Sequence, residues 1–275
     1  MNPQLSGPWG EIRRASALVG NAITTAATAA SAFVAFPKGT TYAWVEGRNY
    51  STAVAIGLLA NPWIAVLKTT DDFTLAANAT DYSDAAQDGD ATTDVVLSSL
   101  ATSGALWVGS HLPFGGVFAD VDGTNSATTS TMAATYWSQT GPTMTTLTIT
   151  DGSAVTSGTL QVDGAITWTV PAAWTADALR SIVATCATAV PYSAIPLYWV
   201  KFTVSVALDS STTLDQLLAI NRSTNYLALT SGKPAMEFMI PRGLGGWGCF
   251  QAITDAVTAN LVVNVACQGA GNKFV

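Results

Sequence analysis

The dominant pattern of the chain is an alternation of apolar and polar residues with a period of two, repeated over several short segments. Such alternation is typical of a β-strand with one buried face. The clearest segment is LYWVKFTVSVAL, at 197–208. Its apolar face carries Tyr198, Val200, Phe202, Val204, Val206 and Leu208. We predict a long half-buried strand there, with the four middle members of that face in a core.

Shorter segments with the same alternation follow one another along the chain and predict further strands. They lie at 42–46, 63–69, 146–150, 165–170 and 260–268. Asp-Gly pairs, which favour tight turns, stand between the strands in DGD, VDGTN, TDGS and VDGA. Strands that are joined by tight turns pair antiparallel. The sequence therefore predicts a mainly β fold, an antiparallel β-sandwich or jelly roll.

Helix should be scarce, because only Glu11, Glu46 and Glu237 among the eighteen acidic residues are glutamates. Glutamate favours helices, whereas aspartate favours turns and caps. Two segments, TTLDQLLAIN (212–221) and TADALRSIVATC (175–186), space their apolar residues as a helix does. We predict two short helices at these places and strands elsewhere.

The two ends of the chain share a faint similarity that predicts a divided domain. AFVAFPKGTTYAWVEG (32–47) and MEFMIPRGLGGWGCFQ (236–251) both run from Phe through Pro, a basic residue and Gly into an aromatic strand. We expect matching hairpins of one outer β-domain, made of residues 31–70 and 225–275. A second domain, a β-sandwich at 71–224, would be inserted between them.

Residues 1–30 are interpreted as an N-terminal arm. The stretch at 21–32 consists almost entirely of small residues, mostly Ala and Thr, and is too small-sided to form a core. Such a segment needs another surface to become ordered. We expect the arm to lie on a neighbouring subunit.

Composition indicates an assembled acidic protein. Charged residues make up 11% of the chain, well below the usual share of about 25%, and hydrophobic residues make up 49%. So few charges favour a subunit whose faces are covered by neighbours. The net charge of −7 and the scattered basic residues argue against binding nucleic acid. We expect no membrane span and no export signal, since no apolar run is long enough.

The only histidine, His111, stands between Ser110 and a proline corner, and Asp120 follows nine residues later. These three residue types could form a catalytic triad. However, neighbouring residues on a strand point to opposite faces, and no GxSxG elbow accompanies the serine. We therefore predict no catalytic site and place His111 at a strand edge or a subunit contact.

No metal or cofactor site is predicted either. DVDGTN (120–125) has the alternating oxygen ligands of a calcium loop, but it lacks the further acidic positions of an EF-hand. A plain turn is the expected structure. Cys186, Cys249 and Cys267 form no CxxC pair and no zinc spacing, so we expect them to be small buried residues.

Carbohydrate chemistry is the remaining possibility that the residues raise. Five tryptophans, if exposed, could stack on sugar rings, although strand tryptophans are more often core or interface anchors. They are Trp107, Trp137, Trp168, Trp174 and Trp199. Glycoside hydrolysis needs a pair of carboxylates, and no pair stands out in the sequence.

A series of weak motifs follows the segment at 71–100 in a fixed order. They are VGSHLPF (108–114), the YW of a strand (136–137), the turn TDG (150–152), TWTVPAAW (167–174) and YWVK (198–201). This succession, over about residues 71–222, resembles a group of structural proteins of tailed bacteriophages. The chain departs from that group in the longer loop at 176–196 and at WSQTGPT (137–143), where the group has a Trp-Gly turn.

The resemblance implies a β-sandwich module on a virion. We therefore expect a non-enzymatic structural protein on the particle exterior: a capsid-associated, decoration, neck or tail subunit. Its partners would be other virion proteins and copies of itself, and it would be made in the host cytoplasm. The alternative is a receptor-binding or carbohydrate-binding module of a phage tail that contacts a host surface glycan. A glycan-cleaving enzyme is a more distant alternative.

Overall fold

The fold is mainly β, as predicted. The computed structural model of the protein describes residues 13–14, 22–23, 34–35, 40–48, 55–73, 79–88, 90, 92–127, 129–156, 158–221, 227–239, 243–254 and 261–269. Strands make up 47% and helices 4%. Each strand pairing in these ranges is antiparallel. No helix in them is long and apolar enough to span a membrane.

The first strands along the chain are β1 (Arg13–Arg14), β2 (Ala22–Ile23), β3 (Val34–Ala35), β4 (Thr40–Arg48) and β5 (Ala55–Pro62). The central strands are β6 (Ile64–Thr69), β7 (Ala79–Asp81), β8 (Val95–Val96), β9 (Ala105–Ser110), β10 (Gly116–Gly123), β11 (Met132–Ser138), β12 (Thr143–Leu147), β13 (Thr150–Asp151), β14 (Gly164–Thr167), β15 (Asp177–Ala178), β16 (Pro196–Val204) and β17 (Thr213–Ala219). A single helical turn, α1 (Leu179–Ile182), lies between β15 and β16, and a 3-10 turn spans Ala85–Gln87. The last strands are β18 (Leu227–Thr230), β19 (Ala235–Met239), β20 (Trp247–Thr254) and β21 (Leu261–Gly269).

The chain divides into two compact units. Residues 1–61 and 223–275 form the terminal unit, and residues 62–222 form the central unit. The sequence placed the boundaries later, at 70/71 and 224/225. The first boundary lies earlier because β6 pairs with β7 and β9, so that this strand belongs to the central sheet.

The terminal unit contains two sheets. One has the order β1-β21-β4-β19, with β2 also on β21, and the other has the order β18-β5-β20-β3. Val45, Leu229 and Cys249 are fully buried in this unit. In the N-terminal arm, β1 and β2 pair with β21 of the same chain, because a sheet edge offers unpaired backbone groups to any nearby strand. The expectation of a neighbour-bound arm otherwise falls outside the described residues.

The central unit is a β-sandwich. A seven-stranded sheet has the order β12-β11-β16-β9-β6-β7, with β15 on β16, and a five-stranded sheet has the order β13-β14-β10-β17-β8. One core between them joins Val108 and Val200 of the first sheet to Val117 and Leu217 of the second. The connection order of a jelly roll stays a prediction.

The central strands of the seven-stranded sheet, β6, β9 and β16, have buried residues on both faces. Along β6, Ile64 and Val66 enter the core of the sandwich, whereas Ala65 and Leu67 enter a second core on the opposite face. The residues of this second core also include Trp63, Trp107, Leu179, Cys186, Val190 and Trp199. The long loop at 176–196 therefore covers the outer face of the sheet.

The strand predicted at 197–208 is β16, and it ends earlier than expected. Val200, Phe202 and Val204 are buried, with exposures of 0%, 2% and 5%. Val206 is 42% exposed, so its predicted burial is wrong. The chain has left the sheet by then, and the Val206 carbonyl accepts a hydrogen bond from the Ser130 hydroxyl at 2.7 Å.

The helix predicted at 212–221 is also wrong, because this segment forms β17. Asp120 of β10 lies opposite Gln216, and the next residue, Val121, lies opposite Leu214. Asp215 is therefore the extra residue of a β-bulge. The bulge shifts the alternation by one, so that Leu214 and Leu217 enter the same core with a spacing that imitates a helix. The other predicted helix contains α1, a single turn.

Candidate functional site

Ser110 and His111 lie at a structural corner of the central unit. Ser110 ends β9 and is fully buried. Its hydroxyl donates to the Trp63 carbonyl at 3.3 Å and accepts from the Leu112 amide at 3.3 Å. His111 is half-buried, and this burial lowers its pKa, which keeps the ring neutral at pH 7. The hydroxyl is thus engaged in holding the chain where it leaves the strand.

Asp120 belongs to a different environment from Ser110 and His111. It lies on β10 in the five-stranded sheet, whereas β9 belongs to the seven-stranded sheet. Burial raises the pKa of Asp120, and the nearby carboxylates of Asp163 and Asp122 raise it further. The residues that a catalytic triad would need are therefore distributed over two sheets.

The DVDGTN segment is neither a calcium loop nor the plain turn that was expected. Asp120, Asp122 and Gly123 belong to β10. The Asn125 side chain points elsewhere, because its amide donates to the Thr159 carbonyl at 2.9 Å and its oxygen accepts from the Ala127 amide at 3.1 Å. The segment therefore consists of the end of β10 and a buried asparagine, Asn125, whose hydrogen bonds connect its own loop to the loop that contains Thr159.

The tryptophans considered for sugar stacking are core residues. Their exposures are 0% for Trp107, 8% for Trp137, 3% for Trp168, 6% for Trp174 and 0% for Trp199. Several indole N–H groups donate to the protein itself, as Trp168 does to the Phe114 carbonyl at 2.9 Å. A sugar ring needs an exposed aromatic face, and these five side chains offer almost none.

Several motif residues pack against one another. The rings of Phe114 and Trp168 lie 5.3 Å apart, those of Phe114 and Trp174 lie 5.2 Å apart, and those of Trp174 and Tyr198 lie 5.7 Å apart. Trp199 lies directly over Gly109, where an added Cβ would come within 2.6 Å of the indole ring. Three separate stretches of sequence, 108–114, 167–174 and 198–201, thus meet in one aromatic cluster.

Two of the three cysteines are buried, as predicted. Cys186 is 6% exposed and Cys249 is fully buried, and neither forms a disulfide. Burial raises the pKa of the Cys249 thiol to about 12. These thiols therefore stay protonated and unreactive at neutral pH. The side chain of Cys267 lies outside the described part of the chain.

An acidic cluster, defined as Asp94, Asp122 and Asp215, lies at one end of the five-stranded sheet. Each residue places a carboxylate oxygen within 4.8 Å of the oxygens of the other two. Asp122 is exposed, whereas Asp94 and Asp215 are half-buried. Hard cations such as Ca²⁺ prefer such an all-oxygen arrangement.

Two β-bulges and one strand pairing bring the acidic cluster together. Asp215 is the extra residue on β17, and Asp122 is the extra residue on β10, because Val121 lies opposite Leu214 while Gly123 lies opposite Thr213. Asp94 directly precedes β8, and continuing the register of β8 with β17 places it beside Asp215. Gly123 is required here, since an added Cβ would lie 1.8 Å from the Ser211 carbonyl oxygen.

The electrostatic state of the acidic cluster is unusual. Burial raises the pKa of Asp215, and the charges of Asp122, Asp120, Asp94 and Asp163 raise it further. The Oδ1 atoms of Asp94 and Asp215 are buried and accept no hydrogen bond from the described residues. Sequence reasoning missed both residues, because they come from segments far from DVDGTN and only the strand register brings them near it.

A separate cleft of about 440 Å³ opens in the central unit beside β12 and β14. Its walls carry the hydroxyl groups of Thr146, Thr148, Thr150, Thr167 and Thr169, together with Tyr136 and Trp168. Both aromatic rings are buried, with exposures of 9% and 3%. Leu147 and Pro171 complete the described lining, which is therefore uncharged.

Compared with models of known protein families, with curated proteins and with solved structures, the chain gives no match.

Proposed function

We propose that the protein is a non-enzymatic structural subunit of a tailed-bacteriophage virion. It would act on the particle exterior, as a capsid-associated, decoration, neck or tail subunit. Its partners would be copies of itself and other virion proteins, and its function would rest on many weak, repeated contacts.

The single observation that carries this proposal is the convergence of the motifs. The phage resemblance rests on VGS-x-x-PF, TW-x-VP-x-x-W and YW-(V/I)-(R/K), and the aromatic residues of these motifs pack together in the central unit. Residues in mutual contact constrain one another, whereas chance similarities fall on unrelated places. The motifs at 71–222 also lie almost wholly within the compact unit at 62–222. Both facts support a related sandwich module.

The structure also supports a contact-making role through the surfaces that remain available. Both faces of the central strands of the seven-stranded sheet, β6, β9 and β16, are covered by the chain itself. The edge strands β8 and β13 of the other sheet have only two residues each, and short edges resist further strand pairing. Contacts with neighbouring subunits would therefore use loops and the terminal unit.

Localisation on the particle tests the proposal directly. Intact particles from a phage that carries the gene are labelled with gold-conjugated antibodies against the purified chain and viewed by electron microscopy. We expect labels at regularly repeated positions on the exterior, together with the chain in the mass spectrum of purified particles. Absence of the chain from purified particles would overturn the proposal.

Deletion of residues 1–30 tests how the subunit assembles. We expect the truncated chain to keep its β-sheet circular dichroism and to lose most of its incorporation into particles or oligomers. A matched variant carries a Gly/Ser segment of equal length in place of the arm, which separates the role of sequence from that of length. Normal assembly of both variants, or a full-length chain that stays monomeric at high concentration and off the particle, would contradict the subunit role.

Binding of a host surface glycan remains the alternative. The buried tryptophans remove the stacking surface on which this interpretation was based. The threonine-lined cleft is the place where hydroxyl groups could still meet a sugar. A glycan array probed with the wild-type chain and with Thr148→Val distinguishes the two proposals, since binding that this variant loses would favour the glycan module.

A further inference from the structure

Besides the loops and the terminal unit, one sheet edge of the central unit is open to a neighbour. The strand β12 ends the seven-stranded sheet, and among the described strands it pairs only with β11. An edge strand directs part of its backbone N–H and C=O groups away from the sheet, where they can bind another strand. Thr143 and Thr146 of β12 are exposed, as expected of an uncovered edge.

The other three edges of the sandwich are short and charged, whereas β12 is neither. β7, β8 and β13 have two or three residues each. Each has an aspartate within it or directly before it, namely Asp81, Asp94 and Asp151. Short strands, charges, prolines and bulges keep sheet edges from pairing with other chains. β12 has five residues, none of them charged or proline, and its register with β11 is uninterrupted.

The charge distribution around β12 indicates which partner fits this edge. Residues 123–150 contain no charged side chain, although the chain has a net charge of −7. Two copies of an acidic chain repel one another, and an uncharged edge that meets the same uncharged edge adds no opposed like charges. We propose that β12 pairs antiparallel with β12 of a second copy, so that two seven-stranded sheets join across a two-fold axis. This contact does not depend on the virion role.

The sequence of β12 is compatible with pairing to itself. A two-fold axis beside the middle residue, Thr145, places this residue opposite its own copy. The remaining pairs are then Met144–Thr146 and Thr143–Leu147. All of these pairs are uncharged, and threonine opposite threonine is a favourable cross-strand pair. Three of the five residues are threonines, whose branched side chains favour extended strands.

The threonine-lined cleft lies beside the same edge. Thr146 and Leu147 of β12 and the following residue, Thr148, form part of its wall. A strand added to β12 would therefore lie next to the cleft. Because the described lining is uncharged, a second uncharged strand can cover it without burying a charge.

Analytical ultracentrifugation of the full-length chain tests the pairing. We expect the wild type to dimerise. Thr145→Asp places two like charges directly opposite each other, so the dissociation constant of the dimer should rise by at least about tenfold. Thr145→Val is the matched control, because it keeps the branched shape of threonine without a charge and should dimerise like the wild type. Circular dichroism checks that both variants are folded.

Two results of this measurement would overturn the proposal. One is a wild type that remains monomeric at high concentration, and the other is a Thr145→Asp variant that associates as tightly as the wild type. Neither result affects the localisation of the chain on the particle. Failure of this contact is therefore distinguishable from failure of the proposed virion role.

Cysteine cross-linking tests the register and does not require the charged variant to fold. Directly opposite residues of antiparallel strands have Cα atoms about 4.5–5.5 Å apart, a distance that a disulfide can span. We expect Thr145→Cys to give a covalent dimer on a non-reducing gel after mild oxidation. Thr102→Cys is the control, at an exposed threonine of the same unit outside β12. No cross-link at position 145, or equal cross-linking of both variants, would contradict the pairing.

Discussion

Two regions of the central unit differ in how their polar groups are satisfied. At the end of β9 the buried Ser110 hydroxyl both donates and accepts a hydrogen bond. In the acidic cluster, the buried oxygens of Asp94 and Asp215 accept none from the described residues. The region with the most reactive-looking residues in the sequence is thus a structural corner. The region that sequence reasoning missed contains two buried carboxylate oxygens that accept no hydrogen bond from the described residues.

The difference follows from the chemistry of the two groups. A hydroxyl carries a donor and two acceptor positions, so it can complete the hydrogen bonds of a strand end without help. An ionised carboxylate only accepts, and several carboxylates close together repel one another. Replacing a polar group should therefore destabilise the corner and stabilise the acidic cluster, and the predictions below test this contrast.

The largest expected effect comes from the core on which both regions rest. Phe202 is 2% exposed and packs 6.0 Å from the ring of Trp168. We expect Phe202→Ala to lower the free energy of unfolding by about 3–5 kcal/mol, measured by urea denaturation. Val206→Ala is the control, because Val206 is 42% exposed and should change stability by less than about 0.5 kcal/mol. Equal effects of the two changes would contradict the assigned faces of β16.

Ser110→Ala should destabilise the corner by about 1–3 kcal/mol, because the buried Trp63 carbonyl loses its hydroxyl donor. Urea denaturation measures the loss, and Ser181→Ala, at an exposed serine, serves as control. The change should leave particle assembly near wild type apart from this loss of stability. A hydrolase activity that is present in the wild type and abolished by this substitution would show that the serine is catalytic.

Asp215→Asn should act in the opposite direction and raise stability at pH 7 by about 0.2–1 kcal/mol without calcium, since it removes repulsion between like charges on neighbouring strands. The folded pKa of Asp215 is raised, so its wild-type contribution is favourable below the unfolded pKa of about 3.9 and is lost as the pH rises through the folded value. The advantage of the variant should therefore grow from acid to neutral pH. Thermal unfolding at several pH values measures it, and a constant difference would contradict the raised pKa.

Sequence patterns predicted the fold where strands alternate without interruption, as in β6 and β16. They failed where the alternation is interrupted. The bulge at Asp215 gave Leu214 and Leu217 the spacing of a helix, although both lie on one face of a strand. The local alternation of apolar and polar residues predicts which face of a strand each residue occupies. It does not predict the position of a β-bulge, which depends on the pairing with β10.

The candidate site could be predicted only in part, for a related reason. DVDGTN drew attention to Asp122, which belongs to the acidic cluster, and to Asp120, whose charge acts on Asp215. Asp94 directly precedes β8 and Asp215 lies in β17, so their proximity depends on the register of pairing between these two strands. A single sequence shows how far apart residues of one segment lie. It does not show the register in which two strands pair, and this register decides which carboxylates of different strands come together.

The smallest expected effect on stability is that of His111→Ala. Its pH dependence should be opposite to that of Asp215→Asn. At pH 7.5 the ring is neutral and half-buried, so the change should alter stability by about 0.5 kcal/mol or less and leave assembly unchanged. Burial lowers the folded pKa of His111, so its favourable neutral form is present above the unfolded pKa of about 6.5. That contribution is lost as the pH falls through the folded value.

Acidification from pH 7.5 to 5.5 should therefore weaken the wild type relative to His111→Ala. Further acidification, through the folded pKa of Asp215 towards the unfolded value of about 3.9, should strengthen the wild type relative to Asp215→Asn. Thermal unfolding of the three proteins, side by side in one buffer series without calcium, measures both differences. Two differences of the same sign would mean that the corner and the acidic cluster are not separate titrating regions. Opposite signs are expected because burial disfavours the charged form of each group, which is the protonated form of His111 and the ionised form of Asp215.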